Sequence, residues 1–144
     1  MEEGEYGEFV ELMLKVCKSL HDGAFGTEAR GGGLACHEAR ILGCLSCSGR
    51  MSPSRIAELL GLSRPQLSVL ADGLAARKLI ERKRDEADRR IVWIRITPAG
   101  ESMLRKSIAA TGAHVRELLS PLSAAEVGEI KSSLERLAAA LGGT

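Results

Sequence analysis

Three groups of residues in this chain have the types and spacing to do chemistry. The first is "DEADRR", residues 85–90, where Asp88, Arg89 and Arg90 stand between two β-prone runs. A carboxylate two residues from a guanidinium can grip it with both oxygens, and an arginine suits the concentrated negative potential of a narrow DNA minor groove. The second is "SRPQLSV", residues 63–69, at the start of a helix. Burying Leu67, Leu70 and Leu74 turns Arg64, Pro65, Gln66, Ser68, Val69 and Asp72 outward. There Arg64 suits a guanine edge or a phosphate, Gln66 an adenine edge, and Val69 a thymine methyl. Ser52, Ser54 and Ser63 offer hydroxyls and helix N-terminal amides to phosphates. Taken singly, each of these residues also reads as part of a solvated helix face or a solvated hairpin tip.

The third group is the cysteines, Cys17, Cys36, Cys44 and Cys47. Cys44-x-x-Cys47 lies at a helix C-terminus without flanking Trp or Pro, which speaks against a thioredoxin-like redox site. A structural zinc site wants four ligands, and the chain has one C-x-x-C. The four are read as small buried hydrophobes, as free cysteines commonly are. Two alternatives stay open: a redox-sensing thiol, with Cys17 flanked by Lys15 and Lys18, and a metal site using Cys36, Cys44 and Cys47 on one helix face. His21 and His114 are lone and are read as solvated or interface residues. No Ser-His-Asp set, P-loop or paired-carboxylate signature stands out, so neither an enzyme nor a cofactor is expected.

The elements that must position these groups are mostly helical. Aromatic residues make up only 3% of the chain against 44% apolar, so the core is aliphatic and the composition leans away from a β-sandwich. Phe9, Leu12, Met13, Val16 and Leu20 draw one stripe on a first helix over about residues 5–21. Asp22-Gly23 ends it, a Gly-rich loop follows to residue 33, and a second helix runs from about Leu34 to Cys47. Ser52 with Pro53 caps a short helix that turns Ile56, Leu59 and Leu60 inward and closes at Gly61. Ser63 caps the next, which runs to about Lys78. Two short helices joined by a tight Gly-containing turn are a helix-turn-helix. Leu79–Lys83 and Ile91–Ile96 then form a hairpin, which makes the unit a winged helix. Thr97 with Pro98 starts a long helix with the stripe Leu104, Ile108, Val115 and Leu119, broken at Pro121. "SAAE", Ser123 to Glu126, is a capping box. The last helix carries Val127, Ile130, Leu134, Leu137 and Leu141, a narrow seam of the kind one helix presents to another.

Charge is distributed unevenly. Residues 1–49 hold four Lys/Arg against eight Asp/Glu, residues 50–95 hold eleven against six, and residues 96–144 hold five of each. The positive excess falls on the winged helix, where a polyanion would sit. The winged helix as a protein–protein contact module without DNA binding is the rival reading. The N-terminus "MEEGEYGEF" lacks an apolar leader, and no apolar run approaches the roughly 20 residues of a membrane span. A cytoplasmic protein with reduced thiols and no membrane partner is expected.

From Leu34 to Leu141 the sequence resembles the MarR family of bacterial winged helix-turn-helix transcriptional regulators. The resemblance is carried by "SPSRIAELLGLSRPQLSVLADGLAARKLIER" and by "DEADRRIVWIRITPAG". In the second, Asp88-Arg89-Arg90, a strand, Ile96-Thr97 and Gly100 follow the family's wing pattern. The resemblance implies a single domain over residues 1–144, mainly α with a small β-hairpin wing. Its winged helix-turn-helix covers about residues 34–97, flanked by N- and C-terminal dimerisation helices over about 5–22 and 98–141. It further implies a homodimer on a pseudo-palindromic double-stranded DNA operator, acting as a repressor. Release would come from a ligand or from thiol oxidation. The ligand would be a small aromatic or phenolic acid held between the winged helix and the dimer helices, in a mostly aliphatic pocket. It also implies that Arg90 reaches the minor groove and Asp88 helps hold it. The chain departs from the family at Val69 and Gly73, where arginines are common, and at Lys78, where glycine is usual. The first departures remove possible DNA contacts; the last predicts an altered turn into the wing.

Overall fold

The computed structural model of the protein describes residues 3–20 and 33–140. His21, the Asp22-Gly23 stop, most of the Gly-rich loop, and Leu141 with the two glycines after it lie outside the described residues. Six helices and one two-stranded sheet are described: α1 (Glu3–Leu20), α2 (Cys36–Ser48), α3 (Pro53–Leu60), α4 (Arg64–Ala76), β1 (Ile80–Arg84), β2 (Val92–Ile96), α5 (Pro98–Leu119) and α6 (Ala124–Ala140). This is the mainly helical winged-helix architecture that the sequence implies.

The helix starts are set by their caps. Ser52 Oγ accepts the Arg55 amide at 3.3 Å and Ser63 Oγ accepts the Gln66 amide at 3.3 Å, each with a proline in the first turn. Thr97 Oγ1 accepts the Gly100 amide at 3.1 Å, and Ser123 and Glu126 close the predicted box at the start of α6. The α3–α4 turn is also as expected. Gly61 adopts φ 64°, and the Gly61 and Leu62 amides return to the Glu58 and Ala57 carbonyls, which satisfies the helix end within two residues.

The core is one cluster of apolar side chains supplied by residues between Leu34 and Leu104. Ile41, Leu42 and Leu45 of α2, Ile56 of α3, Leu74 of α4 and Ile94 of β2 are at its centre. Leu59 is a correction: it is 45% exposed, and Ala57 is buried instead. An eight-residue helix has a narrow inner face. Here it runs through positions 56, 57 and 60, so the small residue faces the core and the large one does not.

β1 and β2 pair antiparallel with Ile80 opposite Ile96, Arg82 opposite Ile94 and Arg84 opposite Val92. Met51 adds an isolated bridge to Ile94, its amide and carbonyl both bonded to that residue. The wing is thereby tied to the chain two residues before α3.

The turn from α4 into the wing keeps the usual geometry although Lys78 occupies it. Lys78 adopts φ 59°, and the Lys78 and Leu79 amides bond the Ala75 and Leu74 carbonyls. The altered turn expected from the missing glycine is therefore not seen. Lysine takes the left-handed conformation and bears its steric cost. The Lys78 carbonyl accepts the Thr97 hydroxyl at 2.7 Å, and the Leu79 carbonyl accepts the Thr97 amide at 3.0 Å. Gly100 lies against this crossing: a Cβ there would run into the Leu79 carbonyl and the Ile96 side chain. The Thr-Pro-Ala-Gly sequence thus starts a helix and also seats its first turn on the chain entering β1.

Candidate nucleic-acid interface

The residues singled out in the sequence fall into two places, the N-terminal half of α4 with the start of α3, and the wing tip. Ser54, Ser63, Arg64, Pro65, Gln66, Ser68 and Val69 are all exposed, and Ser52 is half-buried. Val69 is 72% exposed, an unusual setting for a β-branched apolar side chain and one that leaves its methyls accessible. Ser54, Arg64 and Ser68 line one groove of about 470 Å3 together with Arg82, Val92 and Ile94 of the wing. The start of α3, the face of α4 and the inner face of the wing therefore border a common space.

Gln66 is not a free reader. Its Oε1 accepts the Ser63 amide at 2.9 Å while its own amide donates to Ser63 Oγ. Ser63 and Gln66 thus form a capping box that holds the first turn of α4. The Ser-x-x-Gln spacing was there to find in the sequence. An adenine contact by Gln66 would use the same amide group that fixes the helix start.

The wing tip is a local hydrogen-bonded device. Asp85 Oδ1 accepts the Ala87 and Asp88 amides at 2.9 and 3.0 Å, and Asp85 Oδ2 accepts the Trp93 indole N–H at 2.7 Å. Asp88 then accepts the Arg90 backbone amide, Nε and Nη2, the last two at 3.0 Å each. Both oxygens of Asp88 grip one edge of the Arg90 guanidinium, whose side chain is 91% exposed. The Arg90 bonds hold the Asp88 carboxyl below its ordinary value, and the same bonds raise Arg90 further. Asp85 is lowered chiefly by the Trp93 indole, then by the Asp88 and Ala87 amides. A carboxylate lowered in the fold holds its partner at every pH above its ordinary range and releases it only in stronger acid. The tip is thus charged and oriented throughout the neutral range.

Two features went unread in the sequence. Arg82 of β1 bonds Asp72 of α4 at 2.7 Å, linking wing to helix. The signal was strand alternation: Ile80, Arg82 and Arg84 share the face that Ile80 turns to the core. The second is Arg50, whose guanidinium lies 4.5 Å over the Trp93 ring. At the far end of α4, Arg77 reaches Glu38 at 3.4 Å and the Gly33 carbonyl at 3.1 Å, bracing the helix against α2.

The cysteines are distributed differently from the expectation. All four are free. Cys44 is half-buried and packs against the core and Cys36 is half-buried, but Cys17 and Cys47 are exposed rather than buried. Helix α1 turns no face into the core cluster, and Cys47 lies one residue before the end of α2. Among the described residues no group of three or more His, Cys, Asp or Glu could hold a metal ion. Among them, too, no helix is long and apolar enough to cross a membrane.

Residues 33–91 match the sequence model of the MarR family. The chain is 36% identical over 72 residues to YpoP of Bacillus subtilis, an uncharacterized HTH-type transcriptional regulator, covering 50% of this chain and 51% of YpoP. It is 30% identical over 87 residues to the transcriptional repressor MprA of Escherichia coli, covering 60% of this chain and 49% of MprA. The chain thus spans about half the length of these curated relatives. In fold it is similar to wild-type apo MarR of E. coli, with a TM-score of 0.80 at 19% identity over 95% of this chain and 96% of MarR. A MarR cysteine-to-serine mutant complexed with operator DNA gives 0.69 at 19% identity, over 92% and 95% of the two chains. The sequence match lies over α2, the helix-turn-helix, β1 and the wing tip, and the shared fold extends over nearly the whole chain: over residues 33–91 the protein is similar to the MarR family, and its fold is that of MarR.

Proposed function

We propose that the protein is a sequence-reading regulator of transcription that binds double-stranded DNA as a homodimer. The observation that carries this reading is the wing tip, an arginine 91% exposed yet held by both oxygens of Asp88. A solvated hairpin tip has no need of an oriented guanidinium, whereas minor-groove insertion does. On this reading Arg90 enters the minor groove with Arg89 beside it. Arg64, Ser68 and Val69 meet base edges in the major groove, and Ser52, Ser54 and Ser63 lie near phosphates. The operator-bound form of MarR shares the fold, which fits the same mode.

The dimer is supported by what one protomer leaves uncovered. Phe9, Val10, Leu12, Met13, Leu14 and Val16 of α1 are each at least 42% exposed, and Ile130 and Leu134 of α6 are also exposed. Single exposed apolar residues are ordinary, but a whole helix of them needs a covering partner. Two copies would set two winged helices on a pseudo-palindrome. Repression is the mode that MprA's name suggests for this chain. Relief would come from a small aromatic or phenolic acid in the groove of about 460 Å3 between α2 and α5, lined by Ala39, Gly43, Leu104 and Ile108, or from oxidation of Cys47 on its wall. No catalytic role and no membrane partner enter this reading, and its setting is the cytoplasm.

The test is a titration of duplex DNA from the chain's own upstream region at several salt concentrations. A logarithmic slope of several units in salt, with preference over unrelated DNA, is the expected result. Binding that is absent or insensitive to salt would sink the reading in favour of a protein-contact winged helix.

A further inference from the structure

The face of the wing turned away from α4 carries a built cationic surface that tip insertion does not use. Strand register places Lys83 opposite Trp93 and Glu81 opposite Arg95, on the side opposite buried Ile94. The Met51–Ile94 bridge brings Arg50 alongside, where it stacks on Trp93 at 4.5 Å. Together Arg50, Lys83, Arg84, Asp85, Trp93 and Arg95 border a shallow hollow of about 400 Å3, with Glu86 at its rim.

Its cations, Arg50, Lys83, Arg84 and Arg95, outnumber its carboxylates, Glu81, Asp85 and Glu86. Asp85 is engaged by the Trp93 indole and two backbone amides, and Glu86 by Lys83 at 3.6 Å. Arg50 acts on the Asp85 carboxylate through its charge, and among the described residues Arg50, Arg84 and Arg95 make no salt bridge. The order of construction is notable: Asp85 anchors the indole, the indole seats the Arg50 guanidinium, and a stacked guanidinium keeps its N–H edges free. Such an arginine has lost conformational freedom before any anion arrives, so it binds one at lower entropic cost.

Resting on the proposed DNA-binding mode, we infer that this outer wing face binds backbone phosphates of duplex DNA flanking the segment that α4 and the wing tip read. Charge complementarity selects the ligand: Arg50 stacked on Trp93, Arg95 on the same face and Arg84 at the edge of the hollow match successive phosphates and read no base. The wing tip marks one limit of the recognised segment, so the face turned away from α4 looks along the flank.

The test uses nested duplexes from the chain's own upstream region, a short one trimmed to the minimal bound segment and a long one extended by about one helical turn, roughly 10 bp, on each side. Wild-type protein is expected to bind the long duplex about tenfold more tightly, with a salt slope steeper by about 1–2. The Arg50→Ala/Arg95→Ala double variant should bind the short duplex like wild type and lose the gain from the flanks. Arg50 is exposed and Arg95 half-buried, neither belongs to the core cluster, and circular dichroism would confirm the fold. Retention of the flank gain by the variant would overturn the inference, as would equal weakening on both duplexes. Failure of wild-type protein to bind either duplex would instead remove the DNA-binding reading on which it rests.

Discussion

The winged helix and the α1/α6 end of the molecule are built from similarly apolar sequence and end in opposite states. The winged helix, together with α2 and the start of α5, contains every residue of the buried core cluster. Among the described residues α6 buries none, and the apolar side chains of α1 stay exposed. An amphipathic stripe therefore shows only that a face needs covering. It does not show whether the cover comes from the same chain. The stripe on α2 is covered within the protomer, while those on α1 and α6 are left uncovered.

The strongest way to break this contrast is at the uncovered end. Leu134→Asp should raise the dimer dissociation constant by at least ~100-fold, about 3 kcal/mol, because it places a charge in an apolar seam. Sedimentation should show monomers while the α-helical signal of the winged half persists. A fully dimeric variant would show that α6 covers itself by other means. Next in size is the boundary between the halves. Gly100→Ala should cost about 1–3 kcal/mol in denaturant unfolding, since the first turn of α5 must move off the Leu79 carbonyl. An unchanged midpoint would mean that this crossing is loose.

Arg90→Ala should weaken operator affinity by about 1–3 kcal/mol without moving the unfolding midpoint or the dimer equilibrium. That outcome would separate the closed half's stability from its binding surface. Equal affinity would remove the tip from the interface. The smallest change expected is a gain. Lys78→Gly relieves a left-handed residue whose side chain is exposed, so stability should rise by about 1 kcal/mol, or about 2–4 °C in Tm. A drop would mean that the lysine side chain has a role its exposure does not suggest.

What the sequence disclosed and withheld follows the range of the interactions involved. The caps at Ser52, Ser63, Thr97 and Ser123 and the Gly61 turn depend on residues within five positions of one another, the hairpin on two runs within seventeen, and all were legible. The Asp88–Arg90 grip was legible for the same reason, with family resemblance added. The inward face of α3 differs from the expectation at Leu59, because hydrophobicity does not set direction and Ala57 suits the close approach. Three contacts are set by tertiary placement: Arg82 to Asp72 across ten residues, Arg50 over Trp93, and Gly100 against Leu79. No local pattern announces them. Cys17 and Cys47 depart from the expected burial because a typical burial preference says nothing about α1, which turns no face into the core, or about the last turn of α2.

On the proposed DNA-binding reading, the Ser63–Gln66 box has a consequence for anyone wishing to change the sequence this protein reads. Position 66 lies in the stretch a designer would randomise first, yet its side chain holds the start of the helix that presents all the others. Asp72 is likewise committed, to Arg82. A library varied at 64, 68 and 69 would change what is read while leaving the frame intact. One that includes 66 would mix altered preference with altered folding, and its survivors would be enriched for serine-compatible caps rather than for new targets. A helix transplanted whole from a relative should carry its own capping residue and an acid facing Arg82.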